Sequence, residues 1–252
     1  MACTFNVSGS PLSQKFLMRN SVTLVLLPGL DGTEIFFQPL LQELPSNVRT
    51  VIVQYPLTGA QEYHTLLTLI RAATEGIREF YVLGWSFSGP LAVMLAAAEP
   101  TRVRGVILSA TFMRAPRRFM RQARFALVGP VLWSWRVLRR APLYLFRPPS
   151  NPLREAKRMT WSRIPAAVLA RRLRAVAAVD ARDALRACQA PILNLVASGD
   201  LIVPQHNAEE IAAALPGIET AIITGGHLAM YSNPRPAAKA IMKLITTTAN
   251  RH

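Results

Sequence analysis

A serine, an aspartate and a histidine stand in this chain at positions suited to cleaving an acyl bond, in the order Ser86, Asp200, His227. Ser86 lies within Gly84-Trp85-Ser86-Phe87-Ser88-Gly89, after the apolar run Phe80-Tyr81-Val82-Leu83 and before Pro90-Leu91-Ala92-Val93-Met94-Leu95. That reads as a strand, a turn too tight for most side chains, and a helix. A serine at such a turn is lifted clear of the backbone, with its hydroxyl near the positive end of the helix. The pattern is G-x-S-x-G with one departure, since Ser88 stands where the second glycine is expected. Its hydroxyl can crowd the turn or hydrogen-bond locally. A tight turn with incidental serines is the competing reading.

A serine hydroxyl is a weak nucleophile at neutral pH. It needs a base, an acid that orients the base, and donors for the developing oxyanion. His227 is the expected base: the run Thr220–Ile223 precedes Thr224-Gly225-Gly226-His227, and paired glycines let the loop swing an imidazole toward the sheet edge. His64 falls on a helix flank, His206 follows Pro204 at a helix start, and His252 is terminal. Asp200 is the expected acid, because Ile192–Ala197 leads into Ser198-Gly199-Asp200. There a carboxylate can reach the far nitrogen of His227, although aspartate after glycine also serves as a turn residue or helix cap. Asp180 and Asp183 lie further off, where the central insertion ends. The expected oxyanion donors are backbone N–H groups of Phe87 and of Leu30, the latter within Pro28-Gly29-Leu30-Asp31-Gly32-Thr33. Asp31 caps the following helix or holds the shape of this loop.

The elements that must position these residues alternate along the chain. Strands are expected at Val22–Leu27, Thr50–Gln54, Phe80–Leu83, Val103–Ser109, Ile192–Ala197 and Thr220–Ile223. They are rich in Val, Ile and Leu without clean alternation, as in a parallel sheet covered on both faces. Tyr63, Leu66, Leu67 and Ile70 mark one face of a helix. Pro90 suits a first helical turn, and further helices are expected over Gln205–Leu215 and Pro236–Thr246. The alternation breaks between Phe112 and Cys188, where aromatics and prolines suggest short helices joined by turns. Inserted after the fourth strand, this segment lies at the carboxyl edge of the sheet, where open α/β sheets bind ligands.

Charge singles out the same segment. From Phe112 to Arg186 there are 18 basic and 3 acidic residues, while the remainder holds 11 of each. The whole net charge of +15 therefore belongs to the insertion. No apolar run approaches the ~18 residues needed to span a bilayer, and the first 20 residues do not read as a secretory signal. With the two cysteines, Cys3 and Cys188, read as free thiols, a cytoplasmic location is expected. The four histidines are dispersed, so no metal is expected.

With these residues in place the chain resembles the α/β-hydrolase family from about Val22 to Thr246. The resemblance rests on Leu27-Pro28-Gly29-Leu30-Asp31-Gly32, the Ser86 turn, Gly199-Asp200 and Gly226-His227. It implies an α/β-hydrolase fold with a mostly parallel sheet of about six strands. It implies core segments 1–111 and 188–252 around a basic, mostly helical cap at 112–187, and an acyl-enzyme formed without a cofactor. Pro28-Gly29 replaces the His-Gly with which many relatives begin the oxyanion loop. The expected reaction is hydrolysis of small carboxylic esters through Ser86, His227 and Asp200. An alternative is an acyl thioester, or an ester on an acidic carrier or CoA, docked by the basic cap. Gly84-Trp85-Ser86 also looks like the elbow of capped carboxylesterases that release pimeloyl methyl ester from its carrier. Peripheral contact with an anionic membrane through the cap is a third expectation, whereas no nucleic-acid recognition motif is present.

Overall fold

The computed structural model describes residues 21–117 and 151–249. Residues 118–150 of the expected cap, with Phe125, Trp133 and Trp135, lie outside them, as do Cys3 and His252.

Among the described residues six strands form one all-parallel sheet: β1 (Val22–Leu27), β2 (Val48–Ile52), β3 (Phe80–Trp85), β4 (Val103–Ser109), β5 (Ile192–Ala197) and β6 (Glu219–Ile223). Their order is β2-β1-β3-β4-β5-β6. The expected strands recur, with one displaced: Thr50–Gln54 becomes Val48–Ile52. β2 is an edge strand, so it tolerates the exposed Arg49 near its start, which a search for apolar runs passes over. Its register is set by β1, Val22 opposite Val48 through Leu26 opposite Ile52.

Strand alternation divides the core. Val25 and Leu27 of β1, with Phe80 and Val82 of β3, face α2 (Tyr63–Ala73) and α3 (Gly89–Ala98). Leu24, Leu26, Tyr81, Leu83 and Trp85 face α1 (Gln38–Glu43) and, late in the chain, the helix Pro234–Ala249. Each fully buried Leu, Ile or Val here contributes about 1.5–3 kcal/mol, and both faces are covered, as a parallel sheet requires.

Between β4 and β5 the described part of the insertion forms α4 (Pro152–Arg163), α5 (Ala166–Ala178) and α6 (Arg182–Ala187). Then come α7 (His206–Ala214), α8 (Ala229–Ser232) and α9 (Pro234–Ala249). Among the described residues no helix is long and apolar enough to cross a membrane.

The strand order reverses between β1 and β3, so their carboxyl ends open a crevice at a topological switch point. α3 approaches β3 closely there because residue 84 is glycine. A β-carbon on Gly84 would meet the Ser88 carbonyl and lie 2.8 Å from Ala92 Cβ. Backbone cannot yield as a flexible side chain does. Gly84→Ala should therefore lower stability in urea unfolding by about 1–3 kcal/mol, the usual cost of overpacking. Gly76→Ala, where a β-carbon meets nothing within 4 Å, should stay within about 0.5 kcal/mol of wild type.

Candidate active site

β3 passes into a short 3₁₀ turn, Ser86–Ser88, and then α3. Ser86 makes the reversal in one step, with φ of 53°, a left-handed conformation rare for a residue with a β-carbon. Its carbonyl accepts from Gly89 N–H and from Thr111 Oγ1. The Phe87 carbonyl accepts from Tyr63 Oη at 2.9 Å, and the two rings stack 4.9 Å apart. The turn is thus held on two sides by side chains from other elements.

Ser88 at the second glycine position does not crowd the turn. Its φ of −92° needs no glycine, and its side chain is fully buried. Its hydroxyl donates to the Pro28 carbonyl of the loop after β1. With that proton committed, Tyr55 Oη donates to Ser88 Oγ at 2.6 Å. Burial raises the Tyr55 phenol well above its ordinary range, although Ser88 and Arg172 oppose this. Ser88 fastens the serine turn to the neighbouring loop.

The structure brings the three expected side chains together. Ser86 Oγ lies 2.8 Å from His227 Nε2, and His227 Nδ1 lies 2.7 Å from Asp200 Oδ2. A carboxylate oxygen can only accept, so Nδ1–H donates to Asp200 and the Nε2 lone pair faces the serine hydroxyl. The imidazole and carboxylate side chains are 12% and 5% exposed, which limits competition from water. The two expected roles of Asp200 coexist on different oxygens: Oδ1 accepts from Ile202 N–H at 2.8 Å and Val203 N–H at 2.9 Å. Gly199 N–H donates to the Gly225 carbonyl at 2.8 Å, tying the aspartate and histidine loops together. His64 lies within α2 and His206 opens α7; Asp180 and Asp183 pair with Arg182 and Arg186.

Among the described residues, two cavities flank the serine, and Leu30 and Ser86 line each of them. The larger, about 530 Å³, also takes in His227, Gly226, Gly199, Trp85, Leu153, Lys157 and Trp161. The smaller, about 230 Å³, takes in Phe87, Phe112, Leu173, Val176 and Val203. Asp31, buried, accepts from Thr33 N–H at 3.0 Å and Thr33 Oγ1 at 2.6 Å, so it holds the loop's shape. Burial raises its carboxyl pKa, opposed by Thr33 and Arg172.

No motif marks Arg172, a fully buried cation on α5 that also reaches this loop. The signal for it was available: Val168, Arg172 and Val176 share one helical face, so a charge sits in an apolar stripe. Among the described residues, no group of three or more His, Cys, Asp or Glu is placed to hold a metal ion.

The chain is similar to several known proteins. RutD of Serratia proteamaculans (strain 568), a proposed carbamate hydrolase, is 25% identical over 250 residues, covering 90% of this chain and 92% of its own. The biotin biosynthesis bifunctional protein BioHC of Cellvibrio japonicus is 30% identical over 251 residues, 90% of this chain but 48% of that protein. Among solved structures, a thermophilic esterase from Thermogutta terrifontis superposes with a TM-score of 0.74 at 19% identity, over 91% of each chain. A structure from a study of Nitrososphaera gargenis carboxylesterases gives 0.73 at 18%, over 92% of each chain. A family profile described as the alpha/beta hydrolase family matches residues 24–240, and the chain belongs to that family.

Proposed function

We propose that this hydrolase is a serine carboxylesterase in which Ser86, His227 and Asp200 act as a triad. The observation that carries the reading is the unbroken pair of hydrogen bonds, Ser86 to His227 at 2.8 Å and His227 to Asp200 at 2.7 Å, in the wall of a cavity. Ser86 Oγ attacks the ester carbonyl carbon while His227 Nε2 takes its proton. The Leu30 and Phe87 amides hold the oxyanion, and Asp200 stabilises the imidazolium. His227 returns the proton to the leaving alcohol, and water attacks the acyl-enzyme by the same route in reverse.

Cavity placement supports a disposition of the two halves of the substrate. The leaving oxygen must sit against His227, so the alcohol occupies the larger cavity, which His227 lines. The acyl chain then enters the smaller cavity beside Phe87, among Phe112, Leu173, Val176 and Val203. A second reading is favoured by Lys157, exposed on α4 in the wall of the larger cavity, with Arg154 and Arg158 exposed on the same helix. It gives the substrate an anionic leaving portion, as in CoA or an acidic acyl carrier. Carrier-bound substrate should then outperform the free ester at low salt and lose that advantage at high salt. Equal turnover of both at low salt would remove this reading.

Ser86→Ala should reduce kcat for p-nitrophenyl esters by about 10⁵–10⁶, measured on folded protein. Asp200→Asn should cost about 10⁴ in kcat. Its amide oxygen stays with the Ile202 and Val203 N–H groups, so its NH₂ faces His227 and imposes the tautomer that cannot accept the serine proton. Lengthening the acyl chain with the alcohol fixed should raise kcat/KM and then lower it sharply. Leu173→Ala should move that optimum to longer chains, each accommodated methylene being worth roughly 10-fold or more. An optimum that responds to Leu153→Ala instead would reverse the assignment of cavities.

A further inference from the structure

Arg172 belongs to α5, inside the insertion, yet it is fully buried. A guanidinium offers five N–H donors, accepts nothing and stays charged in proteins, so burying it demands acceptors around it. They are present. Nε donates to Gln61 Oε1 at 2.8 Å, Nη1 to the Leu30 carbonyl at 2.9 Å, and Nη2 to the Pro56 carbonyl at 3.1 Å. Gln61, also fully buried, donates to the Pro56 and Thr58 carbonyls, which turns its oxygen toward the arginine. The cation lies 5.6 Å from the centre of the Tyr55 ring. A side chain at position 32 would collide with it, and Gly32 takes φ of +72° beside it.

In a trans peptide the C=O and the next N–H point in opposite directions, so a tethered carbonyl aims the following amide away from its tether. The Gly29 carbonyl accepts from Gly32 N–H at 3.0 Å, which fixes the direction of Leu30 N–H. The Leu30 carbonyl accepts from Arg172, which fixes the peptide on the other side of the same residue. Ser88 holds the Pro28 carbonyl and Tyr55 N–H holds that of Gly32 at 3.0 Å. Leu30 is therefore clamped at both flanking peptides, and one clamp comes from the insertion. Arg172 itself lines neither cavity.

We propose that Arg172 is a positioning residue for the oxyanion loop: by holding the Leu30 carbonyl it fixes the peptide after Leu30, and together with the Gly29 carbonyl tethered before it this leaves the Leu30 amide one orientation, toward the developing oxyanion, so turnover depends on the seating of α5. The inference rests on the esterase reading of Ser86 and Leu30.

The test compares wild type with Arg172→Lys, which keeps the charge but loses the planar fork. Three measurements are made on folded protein: kcat and KM for a p-nitrophenyl ester, affinity for a trifluoromethyl ketone that forms a tetrahedral adduct with serine, and affinity for an ether analogue that cannot. We expect kcat and ketone affinity to fall together by about 10², the scale of losing an oxyanion donor. KM and ether affinity should stay within about threefold, since ground-state binding is untouched. Where Arg172→Lys does not fold, Gln61→Leu removes the acceptor that orients the guanidinium and should show the same paired loss at a smaller size. A phosphonofluoridate probe with mass spectrometry separates the two layers. Labelling at Ser86 in wild type, with kcat and ketone affinity unchanged in the folded variant, overturns the role of Arg172 and leaves the esterase reading standing. A uniform loss in ketone and ether affinity also overturns it, as a merely structural effect. Absence of labelling at Ser86 in active wild type overturns the esterase reading and this inference with it.

Discussion

Between Trp85 and Phe87 the chain goes from strand to helix through a single left-handed residue, Ser86. Such a conformation costs about 1–3 kcal/mol in a residue with a β-carbon and persists only where the surroundings over-determine it. Here they do. Gly84 lets α3 pack against the strand end, Thr111 and Gly89 hold the Ser86 carbonyl, and Tyr63 holds that of Phe87. The direction of the hydroxyl, its reach to His227 and the presentation of the Phe87 amide all follow from that one reversal.

The loop after β1 obeys the same logic with different means. It emerges beside the serine turn because the sheet changes direction between β1 and β3. Proximity alone would leave its peptides free to rotate. They are fixed by tethers from elsewhere: Ser88 on the serine turn, Tyr55 after β2 and Arg172 on α5. Burying so many polar groups is tolerable only because each finds a partner, and such networks favour one arrangement over near alternatives.

Much of this was legible in the sequence, for reasons that differ by residue. Ser86, Asp200 and His227 each follow an apolar run that a buried parallel strand requires, so their common edge could be inferred without knowing any contact. Ser88 looked like a defect in the glycine pattern, and its value lies in the Pro28 carbonyl, 60 residues away. The start of β2 was displaced because an edge strand needs fewer apolar residues than a central one. Arg172 was the hardest to see. It stands in Arg171-Arg172-Leu173-Arg174, where composition gives no hint of which arginine is buried; only the helical phase of Val168 and Val176 separates it from its neighbours.

The buried arginine changes what kind of object the insertion is. Segments placed between β4 and β5 invite treatment as an interchangeable attachment on a constant base. In this chain the base is incomplete without the attachment. Exchanging 166–178 for a helix lacking the arginine would leave the Gln61 oxygen and the Leu30 carbonyl facing an apolar surface, each desolvated without a donor at about 1–3 kcal/mol. Conversely, a foreign insertion with a buried arginine would need Gln61 and the Gly32 clearance waiting for it. Recombination at this site therefore has a hidden unit of exchange: the helix with its arginine and two core loops more than 100 residues before it.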